Sequence, residues 1–142
     1  VYKLEHLGLA EIIIDDEVGF ELGFGPRYQI LRTAETGGFV DVATALDVSV
    51  GRAGPVLVVG LDPKVMVSRS IRYSKKRAIF AGLSGGVAVS MTSISDGENA
   101  NHLGLLGALT LGLDLTETLR FALDVAIRDD VKRVGAGLMT YF

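Results

Sequence analysis

The stretch KVMVSRSIRYSKKRAIFAGLSGG, residues 64–86, decides the fold because its first half suits two different structures. Asp62 and Pro63, just before it, make a good helix start, an N-cap followed by proline at the first helical position. Alternate residues are nevertheless apolar, as they are in a strand: Val65, Val67, Ile71 and Tyr73. We expect a helix over 62–76, with a strand as the alternative.

The second half of this stretch reads as extended chain. RAIFAGL (77–83) and GVAVSMTSI (86–94) have the composition of strands. The residues between them are small and suited to a turn: Ser84, Gly85 and Gly86. We therefore expect two strands joined by a turn at 84–86.

Further strands are predicted on both sides. GLAEIIIDDEVGFELGF (8–24) contains two extended runs around Asp15 and Asp16 and predicts a β-hairpin. RYQILRT (27–33) predicts a short third strand. PVLVVGL (55–61) is continuously apolar, which is typical of a strand buried on both faces. LMTYF (138–142) predicts a last strand.

Three segments show helical spacing. Apolar residues in 38–51 recur three and four positions apart, which predicts an amphipathic helix: Phe39, Val42, Ala43, Leu46 and Val50. The apolar run Leu103–Leu113 is shorter than the roughly 20 residues of a membrane helix, so we expect a buried helix over 99–111. Asp114 and Glu117 have capping-box spacing before a further helix with an apolar face: Leu119, Ala122, Leu123, Ala126 and Ile127.

Together these elements predict an α/β (or α+β) fold. We expect one layered domain over residues 1–142, a mixed sheet of about five to seven strands packed by three to four helices. No signal peptide is apparent in the sequence. The chain has no cysteine and a formal charge of −3, which fits a cytoplasmic protein without membrane contact. Its 49% hydrophobic content suggests a homo-oligomer that covers apolar surface.

The basic segment is the first candidate site. Six of the fourteen Lys and Arg residues lie between Lys64 and Arg77, and no acidic residue follows until Asp96. Arginine grips phosphate or carboxylate through two hydrogen bonds, and the amides of 84–86 could form an anion nest. The predicted ligand-binding residues are Arg69, Arg72, Ser68, Ser70, Lys76, Ser84, Gly85 and Gly86. The alternative is a solvated charged face.

The polar turn SISDGENANH (93–102) is the second candidate site. It follows a predicted strand and opens a predicted helix, where α/β proteins often bind ligands. His102 is the natural general acid or base, Asp96 could orient it, and Asn99 could bind ligand. The alternative is that these residues only cap the helix.

Known sequence motifs do not name a reaction. The chain contains no P-loop, no G-x-S-x-G elbow and no H-E-x-x-H, and we expect no metal site. Our hypothesis is a cytosolic enzyme or binding protein for an anionic metabolite, with its site at 64–77 and 95–102, which an oligomer could complete between subunits. Whether it is an enzyme stays open, and so does any cofactor. The alternatives are a nucleic-acid-binding or regulatory module, which pI 5.3 does not favour, and a structural homo-oligomer.

Overall fold

Eight antiparallel strands close into a β-barrel. The structure is a computed structural model that describes residues 3–14, 17–32, 39–75, 77–95, 97, 99–128 and 131–141, with side chains between Val18 and Thr140 in these ranges. The strands are β1 (Lys3–Ile14), β2 (Glu17–Leu31), β3 (Asp41–Ala53), β4 (Val56–Arg72), β5 (Ala78–Ile94), β6 (Asn99–Asp114), β7 (Leu119–Arg128) and β8 (Val131–Tyr141).

Each strand pairs with the next one in the sequence, and β8 pairs with β1 to complete the barrel. At one end of the barrel β2 leads into β3, β4 into β5 and β6 into β7, and we call this the loop end. At the other end β1 leads into β2, β3 into β4, β5 into β6 and β7 into β8, and we call this the turn end. Gly54 has a φ of 55°, a left-handed conformation that glycine adopts without strain in the two-residue turn at 54–55.

The register fixes the tilt of the strands. A row of paired residues that begins at Lys3 passes around all eight strands and returns to β1 at Ile13, a stagger of ten residues (3 to 13). With strands about 4.8 Å apart and a rise of about 3.3 Å per residue, this stagger tilts the strands by about 40° from the barrel axis.

Side chains alternate strictly between the interior and the exterior. Along β4, Val58, Gly60 and Asp62 are buried, whereas Leu57, Val59 and Leu61 are exposed. Alanines, a few larger apolar side chains such as Phe80 and Met139, and charged residues share the interior. One interior apolar cluster consists of Ala88, Leu106 and Ala126. The exterior is formed by large apolar side chains.

The predicted α/β fold is wrong, because every segment expected to be helical is a strand. Residues 38–51 belong mainly to β3, 99–111 to β6 and 114–127 mainly to β7. In β3 the inward residues Ala43 and Ala45 are small, while the outward Leu46 and Val50 are large. Because alanine was counted together with the large apolar residues, the apolar positions on the two faces of the strand combined to give an apparent helical spacing.

Some of the remaining sequence predictions are confirmed and others are wrong. The hairpin around Asp15 and Asp16 is confirmed by the pairing of β1 with β2, although those two residues lie outside the described part of the chain. Residues 62–72 are strand, so the alternation of Val65 and Val67 was the correct signal. The strand at 55–61 is confirmed, but its outward face is exposed. Ser84–Gly86 lies in the middle of β5 and makes no turn.

Candidate functional site

The predicted ligand-binding residues of β4 face different environments. Ser68 is buried in the interior, whereas Arg69 projects outward at the loop end, with Cζ 4.0 Å from the centre of the Phe39 ring. Ser70 and Arg72 are exposed beyond the point where β3 begins. Lys76 lies outside the described residues.

The expected anion nest at 84–86 does not form. Ser84, Gly85 and Gly86 pair with Lys64–Met66 of β4 on one side and with Leu106–Ala108 of β6 on the other. Ser84 points inward and is buried, while Gly85 is on the outer surface. In the middle of a strand the backbone N–H and C=O groups are hydrogen-bonded to the neighbouring strands, and consecutive amides point towards opposite neighbours.

The second candidate site lies at the opposite end of the barrel. Asn99 and His102 are exposed near the turn end, where His102 pairs with Ser90, and Asp96 lies outside the described residues. Arg69 pairs with Ala81, which pairs with Leu111, nine residues along β6 from His102. Nine residues of strand measure about 30 Å. The two proposed halves therefore do not meet within one chain.

The described residues assemble a different polar site inside the barrel, centred on Arg128. Its Nη1 and Nη2 donate to the two carboxylate oxygens of Glu21 at 2.9 and 3.3 Å. Its Nε donates to Oδ2 of Asp62 at 2.8 Å, and Nη2 donates to Oγ of Ser49 at 3.2 Å. Arg128, Glu21 and Asp62 are 2%, 0% and 1% exposed. This Arg128 cluster joins strands β2, β3, β4 and β7.

Gly60 makes room for the Arg128 cluster. A Cβ at this position would lie 2.6 Å from Oγ of Ser49 and 3.0 Å from Nη1 of Arg128. Contacts below 3.0 Å are repulsive for carbon, so a side chain at 60 would displace the Ser49 hydroxyl and crowd the guanidinium. The glycine is therefore part of how the sequence accommodates a large cation inside a narrow barrel.

Further ion pairs continue the cluster towards the loop end. Arg133 Nε lies 3.3 Å from Glu21 Oε1 and 3.8 Å from Asp124 Oδ2. Lys64 pairs with Asp47, and both side chains are nearly fully buried. These contacts place cations beside anions, which is the arrangement in which buried charge is tolerated.

A separate ion pair lies close to the loop end. Arg120 Nε donates to Oδ1 of Asp114 at 2.5 Å, and Oδ2 of Asp114 accepts from the amide of Ala78 at 3.0 Å. The Arg120 guanidinium also lies 4.6 Å from the centre of the Phe80 ring. The barrel interior thus carries paired charges near both ends.

The interior leaves little free space among the described side chains. A cavity of about 10 Å³ is bordered by Arg27, Asp47, Lys64, Thr110 and Arg133, among others. That volume is room for about one water molecule. It is too small for a metabolite, and no group of three or more His, Cys, Asp or Glu residues in the described part of the chain could hold a metal ion.

The exterior is an apolar surface that surrounds the barrel. Large apolar side chains cover the outward positions of β2 to β8, and the most exposed are Leu103 and Leu105, at 75% and 79%. The outward apolar run from Leu57 to Val67 on β4 spans ten residue steps, and tilted by about 40° it covers about 25 Å of the barrel axis. Leu103–Leu113 on β6 gives the same height. We call this surface the apolar band.

The Arg128 cluster was not predicted from the sequence, although its members leave a signal. Glu21 and Asp62 are single charged residues within the apolar runs FELGF and VGLDP, and Arg128 directly follows the apolar residues VAI. Small residues occupy the positions two before or after them, such as Gly23 and Gly60. Isolated charges with small residues at a period of two indicate the inner face of a barrel.

Comparisons with known proteins identify solved structures that have a similar fold. No protein-family model matches the chain, and no curated protein matches its sequence. Among solved structures, Neisserial surface protein A is 11% identical with a TM-score of 0.63, over 99% of this chain and 96% of that one. A de novo designed transmembrane β-barrel is 12% identical with a TM-score of 0.59, over 99% and 95%.

A third similar structure is the Yersinia pestis outer membrane protein Ail in a phospholipid bilayer nanodisc. It is 13% identical, with a TM-score of 0.51 over 99% of both chains. The expectations of a cytoplasmic location and of no membrane contact are therefore wrong. The hypothesis of a cytosolic enzyme or binding protein for an anionic metabolite, with its nucleic-acid-binding alternative, is wrong for the same reason. The homo-oligomer stays a prediction, although the apolar content that suggested it lies on the outside of a barrel and the supposed helix at 103–113 is a strand. The chain has the eight-stranded barrel fold seen in proteins of the outer membrane.

Proposed function

We propose that this protein is an integral outer-membrane β-barrel. The observation that carries the proposal is the apolar band around a charged interior. Soluble proteins place large apolar side chains inside and rarely expose apolar patches beyond a few hundred Å². A bilayer reverses this preference, because its hydrocarbon is a favourable environment for the apolar band. The closed barrel also hydrogen-bonds every spanning strand to two neighbours, so no strand edge is exposed to the hydrocarbon.

The height of the band and the position of charge agree with this proposal. Membrane barrels carry an outward apolar band about 25 Å tall, the height given by β4 and β6. Among the described outward residues of β2 to β8, Arg and Lys occur near the margins of the band: Arg52 and Lys132 at the turn end and Arg69 at the loop end. No helix long and apolar enough to cross a membrane occurs among the described residues.

We further propose that the barrel is a scaffold in the membrane and not an open pore. The Arg128 cluster crosses the interior, and the cavity bordered by Asp47, Lys64 and Arg133 holds about one water molecule. A conducting barrel needs a continuous water-filled lumen. We also propose one domain over residues 1–142, since strands drawn from Lys3 to Tyr141 complete a single barrel.

The absence of cysteine from the chain allows a direct test with single labels. Leu109→Cys places a label in the middle of the apolar band, and Thr118→Cys places a matched label in the exposed 115–118 connection. Each variant is refolded into phosphatidylcholine vesicles and labelled with a polarity-sensitive bimane. Quenching is then measured with lipids brominated on the acyl chain and with aqueous iodide.

We expect brominated lipid to quench the label at 109 and iodide to quench the label at 118. Recordings across planar bilayers should show no stable conductance steps for the wild-type chain. Iodide quenching at 109 equal to that at 118, in a chain with a β-sheet circular dichroism spectrum, would overturn the membrane proposal. Stable conductance steps would overturn the scaffold proposal alone.

A further inference from the structure

We propose that the exposed basic residues of the β4–β5 hairpin bind the phosphate groups of anionic lipids at the loop end of the barrel. The residues are Arg69, Arg72, Lys75 and Arg77, which we call the basic rim. The inference rests on the proposed membrane function and adds to it an interaction surface, a partner chemistry and an orientation. It concerns lipid headgroups beside the barrel and needs no pocket.

Arg69 has the position that a headgroup contact requires. It faces outward on β4, two residues beyond Val67 at the margin of the apolar band. Phe39 lies against its guanidinium at 4.0 Å, a cation–π contact that holds the side chain at this level. A guanidinium at the edge of the hydrocarbon lies at the depth of lipid phosphates, where long basic side chains extend towards the headgroups.

The other three residues are presented by an ordered hairpin. The amides of Tyr73 and Ser74 donate to the carbonyl of Arg77 at 3.2 and 3.3 Å, which closes the 73–77 connection. The Tyr73 hydroxyl donates to the carbonyl of Asp114 at 3.4 Å and ties the hairpin to β6. The basic groups are thus held together at one part of the rim.

The charge at the loop end favours anions. In addition to the basic rim, the described charged residues that lie outside the barrel interior at this end include Arg32 and the acids Asp41 and Glu117. In the sequence, the stretches between β1 and β2, between β5 and β6 and between β7 and β8 contain only acids among their charged residues: Asp15, Asp16, Asp96, Glu98, Asp129 and Asp130. This contrast predicts that the loop end lies in the leaflet richer in anionic lipid.

Lipid phosphate is the ligand that this geometry suits. The four side chains are spread along an exposed rim and do not converge on an enclosed space, so a soluble anion would remain hydrated and mobile there. Lipids held at a surface present many phosphates at one depth, and each basic residue near such a surface favours association by about fivefold. Arginine adds paired hydrogen bonds to a phosphate.

The test measures which lipids stay with the barrel. Wild-type protein is refolded into vesicles of phosphatidylcholine and phosphatidylglycerol at 7:3, extracted with a mild detergent, and its retained lipids are quantified by mass spectrometry. The test variant carries Arg69→Gln, Arg72→Gln, Lys75→Gln and Arg77→Gln. The control variant carries Arg52→Gln and Lys132→Gln, which remove exposed charge at the turn end.

We expect retained phosphatidylglycerol to exceed its bilayer share at least about twofold for the wild type and the control, and to fall to that share in the test variant. Raising NaCl from 50 to 500 mM should reduce the enrichment, because screening weakens exposed charge interactions. Equal enrichment in wild type and test variant would overturn the proposal, as would a wild-type ratio equal to that of the bilayer. Flotation with pure phosphatidylcholine vesicles tests insertion separately, so that failure there concerns the membrane proposal itself.

Discussion

Arg128 shows how one residue can organise a barrel interior. Its guanidinium has five N–H donors, and in this structure they reach side chains on three other strands. If the arginine were absent, the buried Asp62 would lose its ion-pair partner, and the buried Glu21 would keep only Arg133, whose Nε lies 3.3 Å away. The cost of losing Arg128 is therefore set by the weakened charge compensation of these two carboxylates more than by the hydrogen bonds themselves.

Arg128→Met should lower the free energy of unfolding by about 3–5 kcal/mol, because it keeps most of the side-chain volume and removes the positive charge. Urea titration in vesicles, followed by circular dichroism, measures this change. Arg52→Met is the control, since Arg52 is exposed at the turn end and surface substitutions usually stay within about 0.5 kcal/mol. Adding Glu21→Gln and Asp62→Asn to Arg128→Met should recover part of the loss. An equal effect of the two single variants would show that the Arg128 cluster does not stabilise the barrel.

At the scale of the strand, the deciding pattern is large and apolar outside, small or charged inside. On β7 the inward residues include Arg120, Ala122 and Ala126, and the outward ones include Phe121 and Leu123. Hydropathy alone groups the alanines with the leucines, which is why a helix was predicted there. Size is the property that separates the two faces, because a barrel of eight strands has little room inside. Among the uncharged residues, side-chain size alternates with a period of two in β3 and β7, and in Leu103–Leu113 of β6 it does so except at Leu106 and Gly107.

Glycine in these strands has two different roles, which substitution can separate. A Cβ at Gly25 would lie 2.0 Å from the carbonyl oxygen of Leu46 and 2.8 Å from Cα of Asp47, whereas one at Gly107 has no neighbour within 4 Å. Gly25→Ala must therefore move the backbone of β3 and should destabilise the barrel by about 1–3 kcal/mol.

Gly107→Ala is the matched control on an outward position of β6. Its effect should be neutral or stabilising by up to about 1 kcal/mol, because alanine restricts the unfolded chain. The same urea titration measures both variants. If Gly25→Ala and Gly107→Ala lowered the free energy of unfolding by comparable amounts, intrinsic strand preference, and not the close approach of β3, would determine the effect of Gly25→Ala.

At the scale of the molecule, the proposed membrane environment could not be predicted from the helix-length criterion applied to the sequence. The run Leu103–Leu113 was judged against the roughly 20 residues of a helix, whereas a tilted transmembrane strand needs about 9–11. The basic residues near Arg69 were recognised correctly as a local concentration of charge, but their relation to the distant His102 depended on strand order. Pairing between strands is a long-range property that local patterns do not contain.

The apolar band predicts a depth profile for a single charge. On β6, Leu103→Arg and Leu113→Arg lie near the two margins, and Leu109→Arg lies near the middle. In a bilayer the middle position should cost about 2–4 kcal/mol and the margins about 0–1 kcal/mol. Urea unfolding in vesicles gives the three values, and the same strand and the same substitution make them comparable. A flat profile would contradict insertion of the band in hydrocarbon.

The stagger of ten residues has a mechanical consequence for the surrounding bilayer. Strand length and tilt together give the barrel a hydrophobic thickness of about 25 Å, and a closed, hydrogen-bonded wall cannot stretch to match a different one. A thicker bilayer must therefore thin around it, at a cost of a fraction of a kcal/mol per Å of mismatch. Refolding yield in phosphatidylcholines of increasing acyl-chain length should peak where the hydrocarbon is close to this thickness and fall as the chains lengthen. Membrane thickness would then sort this protein among compartments without any receptor.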